Sequence, residues 1–337
     1  MFSKLKIILA GLLILTLMSF TTACSSSKGN SETSEGQNAP AAFEPSKTVE
    51  VLVGFAPGGG TDLAARKLTE VFTKEEIVKQ PIIVNNLAGG MGVRALTELK
   101  AKKGDPNVLL FQNGSADPIW SGKTDLDISD FKLVAGTNAV YRFILVGKNC
   151  PYQTLDKLLD GIKNDPKLKI GVTGTLEEGD AKTWAQVKDQ VGVDNLNLVT
   201  TGGTSEVLTL LLQGQVDAAF LPPVIAKDFL KVGDLAAIAS MTEERVPDYP
   251  DVPTFKEVTG SDITYTTYMG IWFGKEVPDE AVDFWYQAIQ KAIQTEDWQN
   301  FIKERGMLAD VLGPDEYQDY IIKCGEEYKE FIESIQK

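Results

Sequence analysis

Three consecutive glycines stand between an apolar stretch and an amphipathic one. Residues 49–54 (VEVLVG) run into Phe55, Ala56, Pro57, Gly58, Gly59, Gly60, Thr61 and Asp62, and then Ala64, Leu68, Val71 and Phe72 share one helical face. This is a strand, a glycine loop and a helix start. Glycines leave backbone N–H groups unshielded, and a helix N-terminus adds about half a positive charge, so such a loop holds a carboxylate or phosphate without Lys or Arg. Thr61 caps the helix and offers a hydroxyl, while Asp62 reads as a cap for backbone N–H groups rather than an anion contact. A Walker loop is excluded because Gly-Thr-Asp stands where Gly-Lys-Ser/Thr is needed, and a dinucleotide fingerprint because Leu63 occupies the third glycine position. The competing local reading is a glycine-rich turn that only closes a tight connection.

Further donors follow other strands. Residues 107–112 lead into Asn113, Gly114, Ser115, Ala116 and Asp117, and loops after parallel strands gather at one sheet edge. Asn113 and Ser115 there donate hydrogen bonds to ligand oxygens, or the segment is a polar turn with Asp117 capping a short helix. From a second sheet come Thr173, Gly174 and Thr175, then Thr201, Gly202, Gly203 and Thr204. The acidic residues Glu177, Glu178 and Asp180 read as a solvated helix start, and matter if the ligand carries an ammonium group. The chain has no histidine, which removes histidine bases, Ser-His and Cys-His nucleophiles and histidine metal sites. No catalytic residue, metal site or cofactor is expected.

The elements that position these loops are short apolar strands alternating with amphipathic helices, the pattern of an α/β protein with largely parallel sheets. Strands are expected at 48–54, 81–86, 107–112, 142–147, 168–173, 196–200, 216–221, 235–240 and 268–273. The chain from Asp279 onward reads as helices broken at Gly306 and at Gly313-Pro314, with no strand among them. Residues 1–23 read as a secretory signal: Lys4 and Lys6, an apolar run of about fourteen residues, then Thr21, Thr22 and Ala23 before Cys24. This stretch resembles a lipobox, with Cys24 as the acylated residue, and 24–46 as a flexible Ser-, Gly- and Glu-rich tether. Without the signal the chain carries 31 basic and 47 acidic side chains, a formal charge of −16, which argues against nucleic acid. Cys150 and Cys324 permit a disulfide in an exported protein, although so sparse a count favours two unpaired, mostly buried thiols.

The motifs taken in order resemble the substrate-binding proteins of the tripartite tricarboxylate transporters. They are 55–62 (FAPGGGTD) with Arg66, 84–92 (VNNLAGGMG), 201–204 (TGGT), 214–217 (GQVD), 247–254 (PDYPDVPT) with Glu257, and Gly270 with Pro278. The resemblance implies a two-lobed type II solute-binding fold, each lobe a mostly parallel sheet flanked by helices, with the ligand in the interdomain cleft. Domain 1 would combine 47–141 with 245–337, and domain 2 would be 142–244. It implies a carboxylate held by Gly58, Gly59, Gly60 and Thr61 on one side and Thr173, Gly174 and Thr175 on the other. Phe55, Ala56, Thr201, Gly202 and Asp217 join the candidates from the matched segments. Thr-Leu-Glu-Glu-Gly after Gly174, and Thr201 before Gly202, depart from the family in making the second lobe less cationic. A monocarboxylate, a small dicarboxylate or a zwitterion is therefore at least as well accommodated as a tricarboxylate.

The resulting expectation is a monomeric, lipid-anchored extracytoplasmic receptor that binds a small carboxylate and presents it to the membrane permease subunits of a tripartite transporter, with no nucleic-acid partner. The alternatives are a ligand-sensing surface receptor, and a surface hydrolase or lyase built on the abundant carboxylates.

Overall fold

The computed structural model describes residues 43–114 and 117–335; Cys24, the signal, all but the last residues of the tether, and Ser115 lie outside them. The first lobe opens with β1 (Val49–Val53), α1 (Gly60–Lys74), β2 (Ile82–Asn86), α2 (Val93–Lys102), β3 (Val108–Asn113), the short α3 (Asp117–Trp120) and β4 (Phe131–Tyr141). The chain then passes through Arg142 into β5 (Phe143–Gly147), α4 (Leu155–Asn164), β6 (Ile170–Thr173), α5 (Gly179–Val191), β7 (Leu198–Thr201), α6 (Thr204–Leu212), β8 (Ala218–Leu221), α7 (Pro223–Val232), β9 (Leu235–Ser240) and α8 (Phe255–Thr259). It returns with β10 (Thr266–Gly274) and ends in α9 (Asp279–Ile293), α10 (Glu296–Glu304) and α11 (Pro314–Ile335).

The two sheets are built alike, in the orders β2-β1-β3-β10-β4 and β7-β6-β8-β5-β9. In each, four strands run one way and one is reversed: β10 pairs antiparallel with β3 and β4, and β5 does so with β8 and β9. Both reversed strands are the first to enter their sheet after the chain crosses between lobes. β8 is apolar throughout, and β1 apart from Glu50 and β3 up to Phe111 are apolar too, because helices cover both sheet faces and leave no solvent side to demand alternation. Parallel strands aligned this way bring the loops after β1, β3, β6 and β7 to the sheet edges that face the other lobe.

The chain first crosses between the lobes at Arg142, between β4 and β5. The second crossing comes later than residue 245. Phe255 is fully buried in the second lobe's core with Trp184 and Phe220, Val258 and Ile263 pack against that core, and Ser240 N–H donates to Pro253 O at 2.8 Å. Burial of these apolar groups, at about 25 cal/mol per Å², ties residues up to 265 to the second lobe. α11 also departs from the expected division: Tyr317 and Ile321 join the first lobe's core, whereas Phe331 and Ile332 join the second's.

Candidate ligand-binding cleft

At the crossings three backbone segments lie side by side: Met241 N–H donates to Arg142 O at 2.9 Å, and Tyr265 N–H donates to Met241 O at 2.7 Å. Between the lobes in front of them opens a cavity of about 1030 Å³, lined from both sides. Lobe 1 contributes Phe55, Met91, Gln112, Asn113 and Asp117, lobe 2 contributes Thr173, Gly179 and Asp180, and the crossings contribute Arg142 and Tyr265.

The second wall is organised around a buried carboxylate. Asp180, 4% exposed in the first turn of α5, accepts the Thr173 N–H at 2.8 Å and a hydrogen bond from the Tyr265 hydroxyl. The Arg142 guanidinium lies 5.1 Å from the centre of the Tyr265 ring, a cation–π contact. Burial pushes the Asp180 pKa up, and the Arg142 charge and these hydrogen bonds oppose it. Gly179 is required here: a Cβ on residue 179 would stand 2.7 Å from the Tyr265 hydroxyl oxygen. Three buried polar atoms around the cavity have no hydrogen-bond partner within the protein: Gln112 Oε1, Asn113 Oδ1 and Thr173 Oγ1. Such groups are costly unless something else satisfies them.

The glycine loop is held from inside. Asp62, 1% exposed, accepts the Gly58 N–H at 2.8 Å, the Asn86 Nδ2 at 2.9 Å and the Arg66 Nε at 3.0 Å. Burial alone would raise its pKa, but these donors outweigh it and hold the carboxyl below its usual range. Gly59 N–H turns back to Ala56 O at 3.3 Å. Ala56, Gly58, Gly59 and Gly60 are exposed, Thr61 is buried at the start of α1, and among these loop residues only Phe55 lines the cavity. The same stitch recurs at α5, and again at α6, where Glu206 accepts the Gly202 N–H at 2.9 Å.

The other candidates divide by position. Asn113 and Thr173 line the cavity. Gly174, at φ +84°, sits beneath the Glu178 carboxylate, and Thr175 hydrogen-bonds that carboxylate at 3.3 Å. The Thr201 hydroxyl faces Val172 O and Gly203 O rather than the cavity. Asp217 is corrected outright: it precedes β8 and accepts the Lys169 N–H at 2.8 Å, at the sheet end opposite Thr173. Ser115 lies outside the described residues. Arg142, Tyr265 and Gln112 went unread in the sequence, because only the crossing of the chain gathers them. Cys150 and Cys324 are free thiols, the second lining the cavity. Among the described residues no three His, Cys, Asp or Glu side chains are grouped as metal ligands, and no helix is long and apolar enough to cross a membrane.

Two similar α/β lobes, joined by crossing segments and enclosing a polar cleft, define a solute-binding protein. The chain belongs to the tripartite tricarboxylate transporter family receptors, whose family model matches residues 64–336. Among solved structures it is similar to a TctC solute-binding protein from Polaromonas (23% identical, TM-score 0.77, covering 87% of this chain and 100% of that one). MatC from Rhodopseudomonas palustris, solved with bound malate, is 24% identical with a TM-score of 0.68 over 86% of this chain and 99% of its own. An R. palustris protein solved with adipate is 19% identical with a TM-score of 0.71, over 86% and 97%. Protein BugT of Bordetella pertussis is 22% identical over 285 residues, 82% of this chain and 86% of that protein. The type II architecture expected from the motifs is the one observed.

Proposed function

We propose that the protein is a monomeric extracytoplasmic receptor that captures a small carboxylate in the interlobe cleft and hands it to the permease of a tripartite transporter, without catalysing a reaction. The observation that carries this reading is one polar cavity lined from both lobes and the crossings, with the Arg142 guanidinium, the Thr173 hydroxyl and the N-terminus of α5 on one wall. A ligand carboxylate facing Arg142, the Thr173 hydroxyl and the first turn of α5 answers that arrangement, and α5 has no side-chain cap on its N-terminus. Malate and adipate in the related structures are of the same chemical class. A ligand touching both lobes favours the closed form by its differential affinity, and that form is what a permease would recognise. Cys24 acylation would hold the receptor at the outer face of the cell membrane on the 24–46 tether, which mass spectrometry of the native N-terminus would test.

The function is tested by thermal unfolding of the purified protein against mono-, di- and tricarboxylates, amino acids and nucleotides. A saturable rise in midpoint with one carboxylate-bearing class is expected, worth about 2.7 kcal/mol at a hundredfold excess over Kd. A response to nucleotides alone, or to nothing, would remove the proposal.

A further inference from the structure

Resting on the receptor reading above, we propose that the ligand is a zwitterion, an amino acid whose ammonium group faces lobe 1 while its carboxylate faces Arg142, rather than a di- or tricarboxylate.

The first ground is charge. The cavity is lined by nine carboxylates and four cations. Two of the cations are already paired, Lys182 with Glu327 at 2.9 Å and Arg245 with Glu257 at 2.8 Å. That leaves Arg142 and Lys323 to face a ligand. Glu178, Glu243, Asp310, Glu316 and Asp319 form no ion pair among the described residues. A dianion or trianion entering such a cleft meets uncompensated carboxylates with little cationic relief, whereas an ammonium group turns those carboxylates into attraction.

The second ground is hydrogen-bonding capacity, which is independent of net charge. Gln112 is 1% exposed, lines the cavity, and its Oε1 has no partner within the protein; the Oδ1 of the neighbouring Asn113 is in the same state. Gln112 is held there because residue 92 is a glycine: a Cβ would stand 3.2 Å from the amide oxygen. Turning either amide over presents its NH2 group instead, a donor that a carboxylate accepts, so these two side chains suit a ligand that brings both donors and acceptors. The carboxylate groups of an ionised polycarboxylate bring no donor to such a wall, a hydroxy acid such as malate or citrate adds one hydroxyl, and an ammonium group brings three N–H donors.

The third ground is what the helix N-termini already hold. Asp62, Asp180 and Glu206 each place a carboxylate in the first turn of α1, α5 and α6 and take up a loop N–H there. The anion-binding capacity of these three corners is thus partly occupied from within. One ligand carboxylate at Arg142 matches the cationic groups that remain.

The test is isothermal titration calorimetry of the intact protein with the twenty proteinogenic L-amino acids, the deamino carboxylate of each, and malate, adipate and citrate. The expected result is that the tightest ligand is an amino acid whose deamino counterpart binds at least about tenfold more weakly. A deamino acid or a polycarboxylate binding as tightly or more tightly overturns the zwitterion inference and leaves the receptor standing. Binding by none of the probes overturns both. The variant Glu316→Gln/Asp319→Asn changes exposed side chains on the lobe 1 end of α11 and gives a signed readout. Amino-acid affinity should fall by about threefold, and deamino-acid affinity should rise by a similar factor. A parallel fall in both, or no change in either, would overturn the assignment of the acidic wall to the ammonium group.

Discussion

Replacing Arg142 by methionine removes a cation that stands at the first lobe crossing while keeping most of its apolar stem. Two effects follow, and the structure sets their relative sizes. In the complex, the variant loses a charge-assisted bond to the ligand carboxylate. Truncating one partner of such a pair costs about 2–5 kcal/mol, with the low end appropriate because Arg142 is only partly buried and the cleft is open to water. About 2–3 kcal/mol weakens binding by roughly 30- to 150-fold. In the free protein, Asp180 loses the charge that opposes its desolvation, but it keeps the Thr173 N–H and the Tyr265 hydroxyl. It can also take up a proton, which limits the cost to about 1–2 kcal/mol, a fall in Tm of about 2–3 °C for a chain of this size. Calorimetric titration with the ligand found by screening, alongside scanning calorimetry of the free variant, separates the two. Arg142→Lys should fall between wild type and Arg142→Met, since it keeps the charge and loses the planar fork. If Arg142→Met binds within twofold of wild type, the carboxylate is not held at the crossing, and the exposed glycine loop becomes the place to look.

Asp62→Asn should destabilise by about 1–2 kcal/mol near neutral pH, because the carboxylate serves three donors and Arg66 is half exposed. Since the folded pKa is depressed, this contribution is fully present above the unfolded value near 4 and is lost as pH falls through the folded one. The Tm gap between Asp62→Asn and wild type should therefore be full at pH 7 and shrink below about pH 4; a gap that widens in acid would contradict the assignment. Gly179→Ala should displace the Tyr265 hydroxyl from Asp180, costing about 1–3 kcal/mol of stability and weakening binding, and a wild-type Tm would show that the first turn of α5 has slack. Burial pushes the Cys324 thiol up to about 11, so it should react slowly with thiol reagents at pH 8 and more slowly still with ligand bound. Ligand-independent labelling would place the ligand away from the α11 wall.

The strand, glycine loop and helix at residues 49–74 were legible because each carries its own local signal: a run that is apolar apart from Glu50, a glycine triplet, then 3.6-residue periodicity. β4 was not, because Gly136, Thr137 and Asn138 sit in its middle and read as a turn. All three are buried, with the Thr137 hydroxyl donating to Met269 O at 3.1 Å and Gly136 pressed against Leu312 and Tyr317. The strand's identity comes from β10 and the C-terminal segment, far away in sequence. The motif residues were visible for a reason other than ligand contact. Asn86 and Arg66 fasten the glycine loop through Asp62, and Arg245 clasps Pro250 O and Glu257 across the PDYPDVPT segment. Arg142 had no signal at all, since a single arginine between Tyr141 and Phe143 acquires meaning only when the chain changes lobes beside it.

The cleft's chemistry is set to a large degree by the last helix, where a reading centred on strand-to-helix loops does not look. Glu316, Asp319, Tyr320, Lys323, Cys324 and Glu327 recur at i, i+3, i+4, i+7, i+8 and i+11 of α11, and all line the cavity. Tyr317, Ile321, Tyr328 and Phe331 form the buried stripe. One helix therefore carries two faces: an apolar one that fastens it first to lobe 1 and then to lobe 2, and a polar one that walls the cavity. Because α11 is anchored in both cores, and Glu327 reaches Lys182 on α5 at 2.9 Å, the lobes are not free to part along this side. The expected opening is a rotation about the line of α11 and the crossings at 142, 241 and 265. Substitutions along the polar stripe are therefore expected to alter ligand preference without disturbing either sheet, which calorimetric titration and Tm of such variants would check.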